Sequence, residues 1–257
     1  MLMEWNDILK LPQSALAGDR RVPKTQLVKQ AGLSKSQEAL LGKVRDVRFF
    51  ASLSKSNSYI QPVKSEEYDI ESIIFLSLEL ASSKGASEAM RLIHGCFPNP
   101  TVLLIKGFEE SSMAISVAIR RKSQAEHGAF VTEKVQSTGL VDRKSEIYQP
   151  FLSRIGYGEL PQTTLLEYLR SLGDRCQVAS AVRALGYYPI CKDSRAQDLM
   201  AKVREMGALT TKVNEFQDRR KSKDSTLGES TKLRVEIKRL EGERNSVAEE
   251  IKELCNG

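Results

Sequence analysis

The sequence predicts an α+β fold: a basic N-terminal helical hairpin, a small mixed sheet with strand-helix-strand-strand order, and C-terminal helices ending in a coiled-coil-like helix. Three observations carry that expectation. Residues 70–80 set Phe75 among β-branched neighbours and then alternate apolar with polar, the pattern of a strand. Thr101-Val102-Leu103-Leu104-Ile105 and the alternating residues 113–119 supply two further strands, after a short helix that Pro98 and Pro100 close. Beyond about residue 142 the apolar residues fall at helical spacing.

The chain has 257 residues, 40% hydrophobic and 28% charged. That suffices for a core and argues against wholesale disorder. No run approaches ~18 apolar residues, so no transmembrane helix is expected. The opening Met1-Leu2-Met3-Glu4-Trp5-Asn6-Asp7 is acidic and has no apolar h-region, so it does not read as a signal peptide. Cys96, Cys176, Cys191 and Cys255 are far apart with no CxxC pair, which fits a reduced cytoplasmic setting.

In chain order, a short helix is expected around residues 3–11, then a turn at Gly18-Asp19. Pro23 suits the first turn of a helix carrying Leu27, Val28 and Ala31, and Gly32 suits its stop. Ser34 with Gln37 forms a capping box for a second helix, whose stripe continues through Leu40, Leu41, Val44 and Val47. Residues 47–53 then drift towards a strand, and 54–64 read as a loop. After the central strands, Ile147, Phe151, Leu152 and Ile155 mark one helix. Thr164 with Glu167 caps a second, and residues 176–185 make a third that ends at Gly186. Four divisions follow: a basic segment 1–60, an α+β core 61–142, a helical part 143–192 and a charged tail 193–257. In the tail, Leu233, Ile237, Leu240, Val247, Ile251 and Leu254 alternate four and three apart, with Arg244 in one seam position. That stripe is a partner-binding candidate, by a hetero-partner or homo-oligomer, or it folds back on Leu199, Val203 and Met206.

Residues 1–60 hold ten Lys and Arg against five Asp and Glu, a net +5 of the chain's +6. Such an end is either a polyanion footprint or a Lys-rich soluble surface. Residues 27–40 resemble a bacterial helix-turn-helix. On that reading Lys35, Ser36 and Gln37 reach base edges, and Lys43, Arg45 and Arg48 meet phosphate. The bland reading is an ordinary capped hairpin. Arg120-Arg121-Lys122 is either a further phosphate contact or a solvated strand end.

No GxxxxGK[ST], GxGxxG, GxSxG or HExxH pattern occurs, so no catalytic residue, cofactor or metal is assigned, and an enzyme is the less favoured class. His94 and Cys96 straddle Gly95 and point to different helix faces, which predicts a packed thiol and a half-exposed imidazole rather than a nucleophile pair. His127 is the only other histidine, too few for a zinc site. A divergent metal-dependent nuclease would draw ligands from Asp69, Glu71 or Glu79, but the next strand has Lys106 with no acid two residues before it. A purely structural adaptor is the third possibility.

Read in order, Arg21-Val22-Pro23-Lys24, the 70–80 strand, Ile93 through Phe97-Pro98-Asn99-Pro100-Thr101-Val102-Leu103-Leu104, Ser116-Val117-Ala118 and Arg120-Arg121-Lys122 resemble the bacterial domain-of-unknown-function family 4391. The resemblance spans about residues 20–140, and a charged helical tail is typical of that family. The family offers no catalytic residue to carry over. It implies an accessory protein of a restriction or anti-phage defence system, working with a helicase or methyltransferase partner on DNA.

Overall fold

The computed structural model of the chain describes residues 2–82, 84–107, 111–126, 128–222 and 226–256. It is a mixed α+β protein that forms two compact units, Met1–Ser180 and Ala181–Gly257.

The first unit opens with helix α1 (Leu2–Leu9), strand β1 (Leu16–Arg21), helices α2 (Lys24–Ala31) and α3 (Lys35–Leu41), and strand β2 (Val44–Ser54). A single turn α4 (Lys55–Ser58) and a two-stranded ribbon of β3 (Val63–Lys64) and β4 (Asp69–Ile70) lead to the central strand β5 (Ser72–Leu80). Helix α5 (Ala86–Gly95) connects to β6 (Thr101–Lys106), followed by β7 (Ser112–Lys122), β8 (Phe130–Ser137), β9 (Val141–Asp142), α6 (Gln149–Arg154) and α7 (Leu165–Ser180).

One sheet runs β1-β2-β5-β6-β7-β8, with β9 also on β7. Among the described strands of this sheet only β5 and β6 pair in parallel, Ile74 beside Thr101 through Glu79 beside Lys106. A parallel neighbour needs a crossover, and α5 supplies it. Both central strands are buried on both faces, which is why they read as near-continuous apolar runs. On one face α2, α3 and α5 bring Leu27, Leu41, Ala89 and Ile93 against Val47, Leu76, Leu78, Leu103 and Ile105. Side chains alternate along β7: Ser116 meets His94 of α5, whereas Val117 lies under Gly173 of α7 on the other face.

Several expectations need correction. The basic N-terminal segment is woven into the sheet, because β1 and β2 continue the pairing outward from β5. The sheet is therefore larger than the small core expected. Val44 and Val47 belong to β2, not to a helix. A register shift between Val44 and Asp46 lets residues three apart fill the same core, which imitates helical spacing. The expected turn at Gly18-Asp19 is a kink within β1, with both residues at positive φ (+71° and +56°) and a register shift across it. The expected loop 54–64 holds α4 and β3. Residues 176–180 do not start a new helix but finish α7, whose first turn is capped by Thr164 Oγ1 accepting from the Glu167 N–H at 3.2 Å.

The second unit contains α8 (Val182–Leu185), which ends at Gly186 in the left-handed conformation, and two long helices, α9 (Ala196–Lys221) and α10 (Leu227–Asn256). Val213 packs with Ile237 and Leu240, and Lys202 pairs with Glu250 at 2.6 Å, so the two helices run antiparallel.

Leu76 is fully buried at the centre of the first unit. Leu76→Ala is expected to lower stability by about 2–5 kcal/mol, read from the midpoint of chemical unfolding, because the rigid sheet around it collapses little into the cavity.

Candidate nucleic-acid interface

The nine residues singled out for DNA contact do not form one patch. In α3, Ser34 caps the helix. Its Oγ accepts from the Gln37 N–H at 3.4 Å, and the Gln37 side-chain oxygen accepts from the Ser34 N–H at 2.9 Å. Ser36 Oγ lies 3.0 Å from Ser34 Oγ. Ser36 and Gln37 are thus occupied in holding the helix start, while Lys35 beside them is exposed and, among the described residues, in no salt bridge.

The arginines of β2 have partners. Arg45 pairs with Glu79 at 3.1 Å. The sheet register sets Arg21 of β1 opposite Arg48 of β2. Like charges so placed repel, and Asp46 offsets this by accepting from Arg21 at 3.0 Å and Arg48 at 2.6 Å. Arg48 also reaches Asp19 at 3.2 Å. Its guanidinium is held above the ordinary range, first by the hydrogen bond to Asp46. A phosphate arriving at Arg45 or Arg48 would have to compete with these carboxylates.

Arg120, Arg121 and Lys122 diverge, as successive strand residues must. Arg120 is a correction: it is only 8% exposed and donates to the His94 carbonyl at 3.1 Å and the Phe130 carbonyl at 2.6 Å. It ties α5 to β8 and presents no donor to a ligand. Arg121 donates to the Lys122 carbonyl and Lys122 to the Ser65 carbonyl, at the end of β5 away from Arg45 and Glu79.

What the fold gathers instead is a layer. Along α2, α3 and α5, residues 22–43 and 84–97 carry Lys24, Lys29, Lys35, Lys43, Lys84 and Arg91 against Glu38 and Glu88, a net +4. Among the described residues none of these six cations is in a salt bridge. Lys29, Lys35, Lys84 and Arg91 are exposed. Lys43 lies against Gly85, at the start of α5. Sequence spacing missed Lys84 and Arg91, because only the crossover brings α5 beside α3.

His94 is fully buried, not half-exposed. Its Nδ1 lies 2.5 Å from Thr101 Oγ1 and its Nε2 2.9 Å from Ser116 Oγ, and all three residues are sealed between α5 and the sheet. Burial, with the nearby Arg120 charge, pulls the imidazole down to about 3, so it stays neutral. The serine–histidine contact has no access to substrate and serves as a polar rivet. Burial likewise raises the Cys96 thiol, which donates to the Leu92 carbonyl.

Asp69 sits in β4 and Glu79 at the far end of β5, paired with Arg45, so the acidic candidates Asp69, Glu71 and Glu79 do not converge. Among the described residues no three His, Cys, Asp or Glu side chains gather where a metal ion would sit. His127 lies outside the described residues.

The tail stripe is spent within its own unit. Ile237, Leu240, Val247 and Ile251 are buried, with Leu233, Leu254 and Arg244 half-buried on the same seam. Ile237 and Leu240 pack on Val213, Leu209 and Phe216 of α9. Folding back was one of the expected outcomes. The seam pairs with α9 at Val213, Leu209 and Phe216, farther along that helix than the expected Leu199, Val203 and Met206.

The fold and this layer define a mixed α+β protein with a cation-rich helical face and an antiparallel helical hairpin. The chain belongs to the family described as "Domain of unknown function (DUF4391)", whose model matches residues 9–243. Neither the curated proteins nor the solved structures contain a significant match. Among the described residues no helix is long and apolar enough to cross a membrane.

The buried imidazole makes acid stability testable. The unfolded chain protonates His94 near ~6.5 and the folded chain only near 3, so its contribution is complete above pH ~6.5 and fades as pH falls towards 3. In urea titrations across that window, His94→Gln is expected to flatten the slope by up to ~1.4 kcal/mol per pH unit. An unchanged slope would contradict the assignment.

Proposed function

We propose that the protein is a non-catalytic, cytoplasmic accessory subunit of a DNA-processing system of the restriction or anti-phage defence kind. DNA phosphates meet the α2–α3–α5 layer, and a helicase or methyltransferase partner docks on the C-terminal hairpin. The observation that carries the DNA contact is the sorting of charge. Arg21, Arg45 and Arg48 on β1 and β2 are matched by carboxylates, whereas among the described residues six cations on one helical layer, four of them exposed, are in no salt bridge. Unpaired, exposed cations on a rigid support release counterions when phosphate binds, and this term dominates sequence-independent affinity. The capped α2–α3 hairpin, with Gly32 at φ +59° and Ser34 closing the turn, favours groove entry by α3. The partner and the biological setting rest on the family resemblance alone. The outer face of α10, where Val235 is 66% exposed, is the docking surface in this reading.

The test is duplex DNA binding over a salt series. Lys29→Glu, Lys35→Glu and Arg91→Glu together are expected to abolish binding. The single changes to Ala should each reduce the log–log salt slope by about 0.9. Arg45→Ala is expected to change affinity little, because Glu79 already engages that side chain. A parent protein that shifts no duplex even at low salt would leave the structural adaptor as the surviving reading.

A further inference from the structure

Among the described residues three other than glycine adopt positive φ: Lys10 at +50°, Asp19 at +56° and Tyr59 at +61°. Two have a use for it inside the fold. Asp19 turns its carboxylate onto Arg48, and Lys10 lays its stem beside Gly156. Tyr59 does not. It ends α4, with its N–H donating to the Lys55 carbonyl at 3.1 Å, a place where glycine fits without strain. Its ring is 86% exposed and, among the described residues, makes no hydrogen bond or ring contact. A bulky side chain in the left-handed region is an outlier, and here the fold gains nothing from it.

The surroundings state what would gain. Residues 50–65 contain Lys55 and Lys64 and no carboxylate, and the first acids beyond them are Glu66 and Glu67. Lys55 is exposed one turn before the ring, and Gln61, also exposed, donates its amide to the Tyr59 carbonyl at 3.5 Å. Below, Ser58 is anchored by the Tyr157 hydroxyl donating to its carbonyl at 2.6 Å, so the turn is firmly mounted. An aromatic face, an ammonium and an amide match the three parts of an unpaired nucleotide: base plane, phosphate and base edge. We infer that Tyr59 is a stacking platform for an unpaired nucleobase of a single-stranded nucleic acid, with Lys55 meeting the adjoining phosphate. This rests on the nucleic-acid reading proposed above but uses a different surface, at the end of β2 away from α3.

The experiment uses the full chain and fluorescence anisotropy with a labelled oligothymidine and with a labelled duplex. Tyr59→Gly is expected to weaken single-strand binding about tenfold, in line with the loss of one stacked base. Tyr59→Phe should stay within about twofold, since the ring and not the hydroxyl stacks. Duplex affinity should not move, and the Tyr59→Gly thermal midpoint should stay level or rise by about 2–4 °C as strain is relieved. A strand carrying iododeoxyuridine should crosslink at Tyr59 under ultraviolet light. Undiminished single-strand binding by Tyr59→Gly, or a lowered thermal midpoint, overturns the inference. If duplex binding is lost on reversal of the helical lysines while Tyr59→Gly has no effect, only this inference fails. If neither oligonucleotide binds the parent protein, both readings fall.

Discussion

The parallel pairing of β5 with β6 is the constraint on which the first unit depends. Two parallel strands cannot be joined by a tight turn, so the chain must cross the sheet, and α5 makes that crossing. Once α5 lies on the sheet, its inner face has to be buried. Ile93 and Ala89 bury against Leu76, Leu78, Leu103 and Ile105, and a side chain the size of Ile93 contributes roughly 1.5–3 kcal/mol. The same placement carries His94 into the interior, where an unpaired imidazole would be costly. Thr101 and Ser116 satisfy both ring nitrogens, and Arg120 reaches the carbonyl of the same residue. One crossover thus accounts for a core, a polar rivet and the loss of Arg120 from the surface.

How far the sequence exposed this depended on the range of the interaction. The strands 70–80, 101–105 and 113–119 were legible, because β-branched and alternating residues record burial locally. The capping pair Ser34–Gln37 and the stop at Gly32 were legible for the same reason. Val44 and Val47 misled, since a strand irregularity and a helix both place residues three apart on one side. The burial of His94 was not legible, because its partners lie 7 and 22 residues away. The seam of α10 was visible as a stripe, but a stripe does not name what covers it. Here the cover is α9, whose Val213 supplies a matching residue from the antiparallel neighbour.

The charge pattern follows from the elements that carry it. On β1 and β2 the register sets side chains of neighbouring strands opposite one another, so the fold must place acids among the arginines or accept repulsion. Asp46, Asp19 and Glu79 are those acids. On α2, α3 and α5 the spacing is wider and the outward residues face solvent, where lysines need no partner because water solvates them. Exposed ion pairs on the strands contribute at most about 1 kcal/mol each, yet they lower the charge those arginines offer outward.

That division decides which cations have free energy left for a ligand. A guanidinium already holding a carboxylate gains from phosphate only the difference between two similar contacts. A solvated ammonium gains the full counterion release. Counting basic residues along the chain therefore overstates Arg45, Arg48 and Arg120 and overlooks Lys84 and Arg91, which lie far from the basic segment in sequence and beside it in the fold. The useful quantity is the unmatched charge per face. By that measure the helical layer, not the basic amino-terminal segment as a whole, is the ground on which the proposed DNA contact rests.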